Sequence, residues 1–247
     1  MFHVKHIEPD SRVQASEIQR AVSAVGVVAS TEQCELLAAH ANYVLETNTR
    51  MNLTRITEAA AVVSLHIVDS LAFTAQTEPL AGRIVDIGAG AGYPGIPLAV
   101  LGHDVWLCES VKKKAAFLED CVRGLGLKCT VQAMRAEELA AVEPGGADVV
   151  VARALSSLAA LVELAAPLLT QSGRLIALKG TPDERERAQG VRAAKICGLA
   201  LVSDAQYQLP GGESRSVYVY ERRKKPSLAL PRGLGMAQRH TLGGDDS

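Results

Sequence analysis

Apolar residues recur at helical spacing through the first third of the chain, before any strand-like run appears. Over residues 17–46 they fall three and four positions apart, which places them on one face of each of two helices. The same spacing predicts a third helix over residues 57–74. The pattern therefore predicts a helical extension over residues 16–80 that packs on the rest of the protein, preceded by a polar, flexible stretch at residues 1–15.

From residue 81 onward, short apolar runs alternate with amphipathic segments. The predicted strands are residues 83–87, 105–108, 129–132, 148–151 and 175–179, with a closing pair at 199–208 and 217–221. The predicted helices between them are residues 94–101, 112–125, 158–169 and 183–197. Strand–helix repeats that end in a hairpin predict an α/β fold, a mixed seven-stranded sheet with an antiparallel C-terminal hairpin, over residues 81–223. Residues 224–247 combine Pro, Gly and mixed charge with few apolar residues, so a disordered tail is expected there.

A glycine-rich stretch directly follows the first predicted strand and carries Gly88, Gly90, Gly92 and Gly95 within eight residues. A buried strand, a glycine-rich turn and a helix start, in that order, are typical of a nucleotide-type cofactor site, because glycine lets the backbone approach a ligand closely. Gly90-x-Gly92-x-x-Gly95 matches the dinucleotide pattern. Gly88-x-Gly90-x-Gly92, with Asp86 upstream, matches methyltransferases that use S-adenosylmethionine. By itself the stretch leaves both cofactors open.

Two features outside the glycines bear on this choice. Glu109 follows the second predicted strand, where an acid hydrogen-bonds the ribose hydroxyls of either cofactor. The closing hairpin is typical of methyltransferases and not of the six-stranded parallel dinucleotide fold. No clear second catalytic domain, which most dehydrogenases need, follows the glycines. The sequence therefore favours S-adenosylmethionine, with an NAD(P)-dependent oxidoreductase as the alternative.

Composition excludes few classes of function. The chain has 26 basic and 27 acidic residues and a formal net charge of −1, so a nucleic-acid site would have to be a local patch. The five scattered cysteines lack metal-binding spacing, which argues against disulfides and a metal site and favours a reducing cytoplasm. No apolar run is expected to reach the roughly 18 residues that span a bilayer, and the N-terminus lacks a signal-peptide core, so no membrane association is expected.

Seven short motifs follow one another along residues 30–222. They are Asn52-Leu53-Thr54, His66-x-x-Asp69-Ser70-Leu71, the glycine block ending in Pro94-Gly95-Ile96-Pro97, Lys113-Lys114-x-x-Phe117-Leu118, Arg135-Ala136-Glu137-Glu138, Val151-x-Arg153-Ala154 and Ala177-Leu178-Lys179-Gly180. Together they resemble the bacterial guanine-N7 methyltransferases of small-subunit ribosomal RNA, also called glucose-inhibited division protein B. The glycine block with its two prolines is the most specific of the seven.

The resemblance implies a Rossmann-like class I fold that uses S-adenosyl-L-methionine. It also implies methylation of a guanine N7 in the decoding region of 16S rRNA, by a cytoplasmic enzyme that acts as a monomer on 16S rRNA or the 30S subunit, with no metal and no membrane partner. The residues expected to bind the cofactor are Gly88, Gly90, Gly92, Tyr93, Glu109, Ala136, Glu137 and Arg153. Ala136 and Glu137 are expected beside the adenine, and Arg153 near the reaction centre.

The absence of two other motifs agrees with a ring-nitrogen acceptor. Residues 151–155 read Val-Ala-Arg-Ala-Leu, where methyltransferases of exocyclic amines carry an Asn/Asp-Pro-Pro-aromatic motif. No cysteine has the setting of the nucleophile that pyrimidine C5 methyltransferases use. Guanine N7 has a free lone pair, so alignment and electrostatics suffice and no general base is expected. Arg153 and Arg135 are then the expected catalytic residues, as groups that position the substrate.

Further basic residues are candidates for contact with RNA phosphates, because phosphate neutralisation dominates nucleic-acid affinity. These are Lys179, Arg215 and Lys113. Lys179 and Arg215 are otherwise explained as parts of surface ion pairs, and Lys113 as part of a solvated run of charges. His66, Asp69 and Ser70 resemble a hydrolase triad only superficially, because no G-x-S-x-G elbow exists. A helix-packing or cofactor-lid role fits these three better. A ribosome-binding protein that keeps the fold without catalysis remains a further alternative.

Overall fold

A computed structural model, which describes residues 12–244, contains a mixed seven-stranded sheet with helices on both faces. The strands are β1 Arg83–Ile87, β2 Asp104–Cys108, β3 Cys129–Gln132, β4 Ala147–Arg153, β5 Leu169–Lys179, β6 Leu199–Gln208 and β7 Ser214–Arg222. Their order across the sheet is β3-β2-β1-β4-β5-β7-β6. The first five strands are parallel and β7 is antiparallel to both neighbours, so the predicted sheet and its closing hairpin are confirmed.

The helices of the described residues occupy both ends of the chain and the connections between strands. They are α1 Ala15–Ser23, α2 Thr31–Asn48, α3 Ala59–Val62, α4 Asp69–Leu71, α5 Gly95–Val100, α6 Lys112–Leu125, α7 Ala136–Val142, α8 Leu158–Ala165, α9 Glu184–Cys197 and α10 Met236–Arg239. The sequence did not predict α7, whose seven residues are too few for a clear helical period. Strand β5 also begins six residues earlier than predicted, because Leu169 and Arg174 pair with Ala147 and Val149 of β4 on either side of an irregularity in register. Gly173 lies in this irregularity, where a Cβ would be 3.0 Å from the Ala147 carbonyl oxygen.

Alternation along the strands divides the interior into two hydrophobic cores. Ile84 of β1 faces the core beneath α1, α2, α5 and α6, whereas its neighbour Val85 faces the core beneath α7, α8 and α9. Successive side chains of a strand point to opposite faces, and both faces are covered here. This explains why the central strands read as nearly continuous apolar runs.

Residues Ala59–Gln76 form one helical segment, which we call the mixed helix. A π-helical turn at Val63–Val68 lies between α3 and α4, and a 3-10 turn closes the segment. Within the described part of the chain it is the one helix long and apolar enough to cross a membrane by length and composition, and 56% of it is buried inside the fold. The expectation that no apolar run approaches this length is therefore wrong, although a buried core helix passes the same test.

The predicted disorder of residues 224–247 is wrong for residues 224–244. Arg232 donates two hydrogen bonds to the buried carboxylate of Glu163, and Ala237 is 2% exposed. The low content of apolar residues suggested disorder, but polar side chains and backbone groups hold this segment in place. Near the other end, both backbone groups of Val13 bond the side chain of Asn42, so the predicted flexibility of residues 1–15 is also wrong for Val13. Residues 1–11 and 245–247 lie outside the described residues.

Candidate functional site

The glycine loop connects β1 to α5 and has an unusual backbone. Gly88, Gly90 and Gly92 have φ values of +74°, +58° and +94°, which residues with a Cβ rarely adopt. The Gly88 amide donates to the carbonyl of Cys108 at 2.8 Å, which joins the loop to the end of β2. A Cβ added at Gly90 would meet only the Gly88 carbonyl oxygen, at 3.7 Å, so this part of the loop is open to a ligand.

Other glycines of the block serve packing instead of ligand approach. A Cβ on Gly95 would lie 2.2 Å from Leu107 Cδ2, and its amide donates to the buried carboxylate of Asp86 at 2.8 Å. Burial raises the pKa of Asp86 to about 7. Gly92 likewise lies against Ile96 and does not line the cleft described below. The dinucleotide pattern at residues 90–95 therefore overlaps a helix start that needs glycine for packing.

Glu109 holds the loop from the end of β2. Its two carboxylate oxygens accept from the amides of Gly90 and Val111 at 2.9 and 2.7 Å, and the residue is 6% exposed. Each carboxylate oxygen has further lone pairs that can accept from ribose hydroxyls. An open glycine beside a fixed acid therefore fits an adenosyl group.

A cleft of about 590 Å³ lies between the glycine loop, the mixed helix and the carboxyl ends of β4 and β5. The polar residues that line it include Thr54, His66, Asp69, Tyr93, Arg153 and Arg215, the last of which lies on β7. Gly88 also borders a smaller extension of about 90 Å³, which contains Arg135, Ala136 and Glu137. The structure thus brings most of the predicted residues to one edge of the sheet, as parallel strands require of their carboxyl ends.

One carboxylate organises the basic side chains of the larger part. Asp69 accepts from Arg153 at 3.1 Å through one oxygen and from Arg215 at 2.8 Å through the other. Arg153 also donates to the carbonyl of Leu65 at 2.9 Å and to Nδ1 of His66 at 3.0 Å. Because two guanidinium groups share one carboxylate, this cluster carries a net positive charge beside the glycine loop.

The same contacts decide the state of His66. A guanidinium group has no acceptor, so Nδ1 must accept from Arg153 and the proton must reside on Nε2, which lies 2.9 Å from the Thr54 hydroxyl. Burial, followed by the nearby charge of Arg153, lowers the pKa of His66 to about 3. The imidazole is therefore neutral at physiological pH.

Tyr93 lies at the centre of an aromatic stack. Its ring stacks on His66 at 4.5 Å with an interplanar angle of 9°, and it contacts His40 at 4.7 Å. His40 also bonds the Ala91 carbonyl at 2.9 Å, and burial lowers the pKa of His40 to about 4. Burial raises the pKa of Tyr93. The stack therefore supports the glycine loop with neutral rings.

Several residues lie elsewhere than the sequence suggested. Arg135 lies in the smaller extension, apart from the Arg153 cluster. Lys113 is exposed, and the neighbouring Lys114 lines the cleft in its place. Lys179 lines the cleft but also bonds Glu186 at 2.8 Å. The roles assigned to these residues stay predictions.

Ser70 does not join its predicted neighbours. It is fully buried and its hydroxyl faces no hydrogen-bond partner, whereas His66 and Asp69 line the cleft. Sequence reasoning missed His40 and Arg55, which belong to no motif that the glycine loop suggests. Among residues 12–244 no group of three or more His, Cys, Asp or Glu residues is placed to hold a metal ion.

Comparison with known proteins places this geometry in a family. The family described as rRNA small subunit methyltransferase G matches residues 33–210. A protein named ribosomal RNA small subunit methyltransferase G from Roseiflexus castenholzii is 34% identical over 232 residues, covering 92% of this chain and 99% of that protein. The protein of the same name from Streptococcus pyogenes serotype M2 is 33% identical over 236 residues, covering 92% and 98%.

A solved structure agrees at the level of the fold. A protein from Pyrococcus horikoshii, described as a candidate transferase, superposes with a TM-score of 0.50 at 15% identity, covering 63% of this chain and 62% of that one. This likeness bears on the fold alone. The sequence relatives go further, since they match nearly the whole chain and include the glycine loop and the Arg153 cluster within the matched residues. The chain therefore belongs to the family of S-adenosylmethionine-dependent small-subunit ribosomal RNA methyltransferases G.

Proposed function

We propose that this protein methylates N7 of a guanine in the decoding region of 16S rRNA. The observation that carries the proposal is the cluster in which Arg153 and Arg215 share Asp69, beside the open glycine loop. Bound S-adenosylmethionine supplies an electrophilic methyl group on a sulfonium. The remaining work of the chain is to hold the cofactor and to place a base next to it.

The chemistry of the cleft suits an acceptor that needs no deprotonation. The imidazoles of His66 and His40 have pKa values lowered to about 3 and 4, so both are poor proton acceptors at neutral pH. Burial raises the pKa of Tyr93, which keeps its phenol neutral. Guanine N7 already presents a lone pair, so alignment and electrostatic stabilisation are sufficient. An exocyclic amine would instead have to lose a proton.

The guanidinium groups are suited to hold the guanine by its other atoms. Arginine recognises guanine O6 or a phosphate through a planar pair of donors. An Arg on N7 itself would block transfer, so contact at O6 or phosphate is expected for Arg153 and Arg215. Arg55, Lys114 and Lys179 also line the cleft and provide a local basic surface in a chain of net charge −1. The expected setting is a monomer that acts on the 30S subunit in the cytoplasm.

The proposal is tested by methyl transfer to unmethylated 30S subunits and to naked 16S rRNA with labelled S-adenosylmethionine. We expect label in one guanine, and strand scission at that guanine after borohydride and aniline treatment, which reports N7 methylation. Arg215→Ala is expected to lower kcat/KM for 30S roughly 100-fold, because a misplaced base reacts slowly. Binding of S-adenosylhomocysteine to this variant is expected to remain unchanged.

Arg50→Ala is the matched control, because Arg50 is exposed in the turn that follows α2 and does not line the cleft. It removes one positive charge and should leave kcat/KM near the wild-type value. Failure of the wild-type protein to label either substrate, or label at an atom other than N7, would refute the proposal.

A further inference from the structure

The C-terminal segment, residues 224–244, extends past the family match at residues 33–210 and packs beside the smaller extension of the cofactor cleft. We propose that this segment forms the adenine-side wall of the cleft, and that Gln238 contacts the adenine ring. The inference rests on S-adenosylmethionine as the methyl donor. It adds a specificity-determining residue that the glycine loop and the motifs do not contain.

A buried ion pair holds the segment in place. Glu163 of α8 is 3% exposed, and its two carboxylate oxygens accept from Nε and a terminal nitrogen of Arg232 at 2.7 and 2.5 Å. The same guanidinium donates to the carbonyl of His240 at 2.7 Å. Removal of the cation from a buried carboxylate strongly destabilises the folded protein. The ion pair therefore anchors the segment to α8.

Further contacts fix the segment on both sides of α10. Gln189 of α9 donates to the Thr241 hydroxyl at 3.0 Å and to the Leu242 carbonyl at 3.2 Å. Ala237 is buried in the second hydrophobic core. These contacts leave α10 little freedom to move away from the cleft.

The segment reaches the site through Glu137. The amide of Gly235 donates to the Glu137 carboxylate at 2.8 Å, so the tail backbone binds a residue that the family resemblance predicts beside the adenine. Gln238 lines the extension together with Gly88, Ala136 and Leu155. Because Gly88 borders both parts of the cleft, a ligand that lies along the glycine loop continues into this extension.

The chemistry of Gln238 matches adenine. A carboxamide offers one acceptor and two donors in one plane, which complement the N6 amino group and N7 of adenine. Leu155 provides an apolar surface in the same extension. On this edge hypoxanthine presents two acceptors, O6 and N7, so the carboxamide oxygen lacks a donor whichever way the amide is turned.

Calorimetry with S-adenosylhomocysteine and S-inosylhomocysteine tests the inference on the full-length protein. Gln238→Ala should weaken binding of S-adenosylhomocysteine about fivefold, the effect of one hydrogen bond of ordinary strength. Its affinity for S-inosylhomocysteine should change little, so the preference for adenine falls by the same factor. The KM for 30S subunits should remain at the wild-type value.

His240→Ala is the control, because His240 is exposed on the same segment and does not line the extension. It should retain wild-type affinity and preference. Gln238 is itself exposed, so its variant is expected to fold, and an unchanged melting temperature verifies this. If the wild-type protein binds S-adenosylhomocysteine and Gln238→Ala keeps the full preference for adenine, the inference is overturned. If the wild-type protein does not bind S-adenosylhomocysteine, the proposed function fails instead.

Discussion

At the scale of single residues, Asp69 and His66 determine the electrostatic character of the cleft. Asp69 binds two guanidinium groups and so fixes the directions of Arg153 and Arg215. His66 accepts from Arg153, which requires the neutral imidazole. Both residues come from the mixed helix, and neither needs to touch the substrate in order to position the two guanidinium groups that are proposed to contact it.

The neutral state of His66 predicts a pH dependence of stability. Its pKa is lowered from 6.5 to about 3 in the folded protein, so unfolding takes up a proton between these values. The contribution to the free energy of unfolding is therefore complete above pH 6.5 and declines as the pH falls toward 3, by at most about 1.4 kcal/mol per pH unit. His66→Gln should consequently lose stability less steeply than the wild type between pH 6.5 and 4 in urea unfolding.

Comparison of the wild type with His66→Gln separates the pH dependence due to His66 from that of other titratable groups. Asp86 acts in the opposite sense, because its raised pKa of about 7 makes its contribution complete below its ordinary value near 3.8 and lost as the pH rises through 7. That contribution is common to both proteins and cancels in the difference. Thr54→Val, which keeps the imidazole and removes a neighbouring hydroxyl, is expected to retain the wild-type slope. Equal slopes for His66→Gln and the wild type would contradict the assignment.

At the scale of elements, the turn between β1 and α5 combines two kinds of glycine. Gly90 faces the cleft, where a ligand must approach the backbone. Gly95 lies behind the turn, where β2 and the carboxylate of Asp86 leave no room for a side chain. One short sequence thus serves both ligand approach and packing, which is why two cofactor patterns overlap in it.

Alanine substitutions separate these two functions. Gly95→Ala should lower the free energy of unfolding by about 2 kcal/mol, because the new Cβ would lie 2.2 Å from Leu107 Cδ2. Gly90→Ala meets no such clash and carries only the strain of its φ of +58°, about 1 kcal/mol. It should instead weaken S-adenosylhomocysteine binding more than tenfold, since its Cβ would occupy ligand space. Urea unfolding and calorimetry measure the two effects, and the reverse order of effects would contradict this division.

At the scale of the whole molecule, the chain ends complete the enzyme around the sheet. The N-terminal helices and the mixed helix cover one face and supply His40, His66 and Asp69 to the site. The C-terminal segment packs on the other face through Glu163 and Arg232. The cofactor cleft is therefore bounded by residues from both ends of the described chain.

The buried ion pair predicts how the C-terminal segment contributes to stability. Arg232→Leu leaves the Glu163 carboxylate buried without its cation and should lower the free energy of unfolding by about 3 kcal/mol. The double variant Glu163→Leu with Arg232→Leu should recover most of that loss, because two apolar side chains replace the pair. Urea unfolding of both variants measures this. Equal free energies of unfolding for the single variant and the wild type would show that the ion pair does not contribute to stability.

Local signals were sufficient for much of the sheet and for the cofactor loop. The predicted strands 83–87 and 129–132 and the helix 112–125 agree with the structure at both ends. Short apolar runs mark the strands, and helical spacing with Gly126 at the C-terminus marks the helix. Gly88, Gly90 and Glu109 were singled out because a strand, a glycine turn and an acid after the next strand have a distinctive order. The structure brings Glu109 to the glycine turn, and contact of these residues with the cofactor stays a prediction. Short α7 lacked such a signal.

Other features depend on partners that are distant in the chain. The pairs Asp69–Arg215 and Glu163–Arg232 join residues 146 and 69 positions apart, and no local pattern indicates them. For the same reason the C-terminal segment looked disordered, although its order comes from a buried acid and backbone acceptors elsewhere. By itself the sequence determined the order of the strands and of most helices, and the glycine turn of an adenosyl-type cofactor site, because these follow from periodicity and local backbone geometry. Only the tertiary structure decided which charges share the cleft and where the C-terminal segment lies, because those outcomes depend on which groups are buried together.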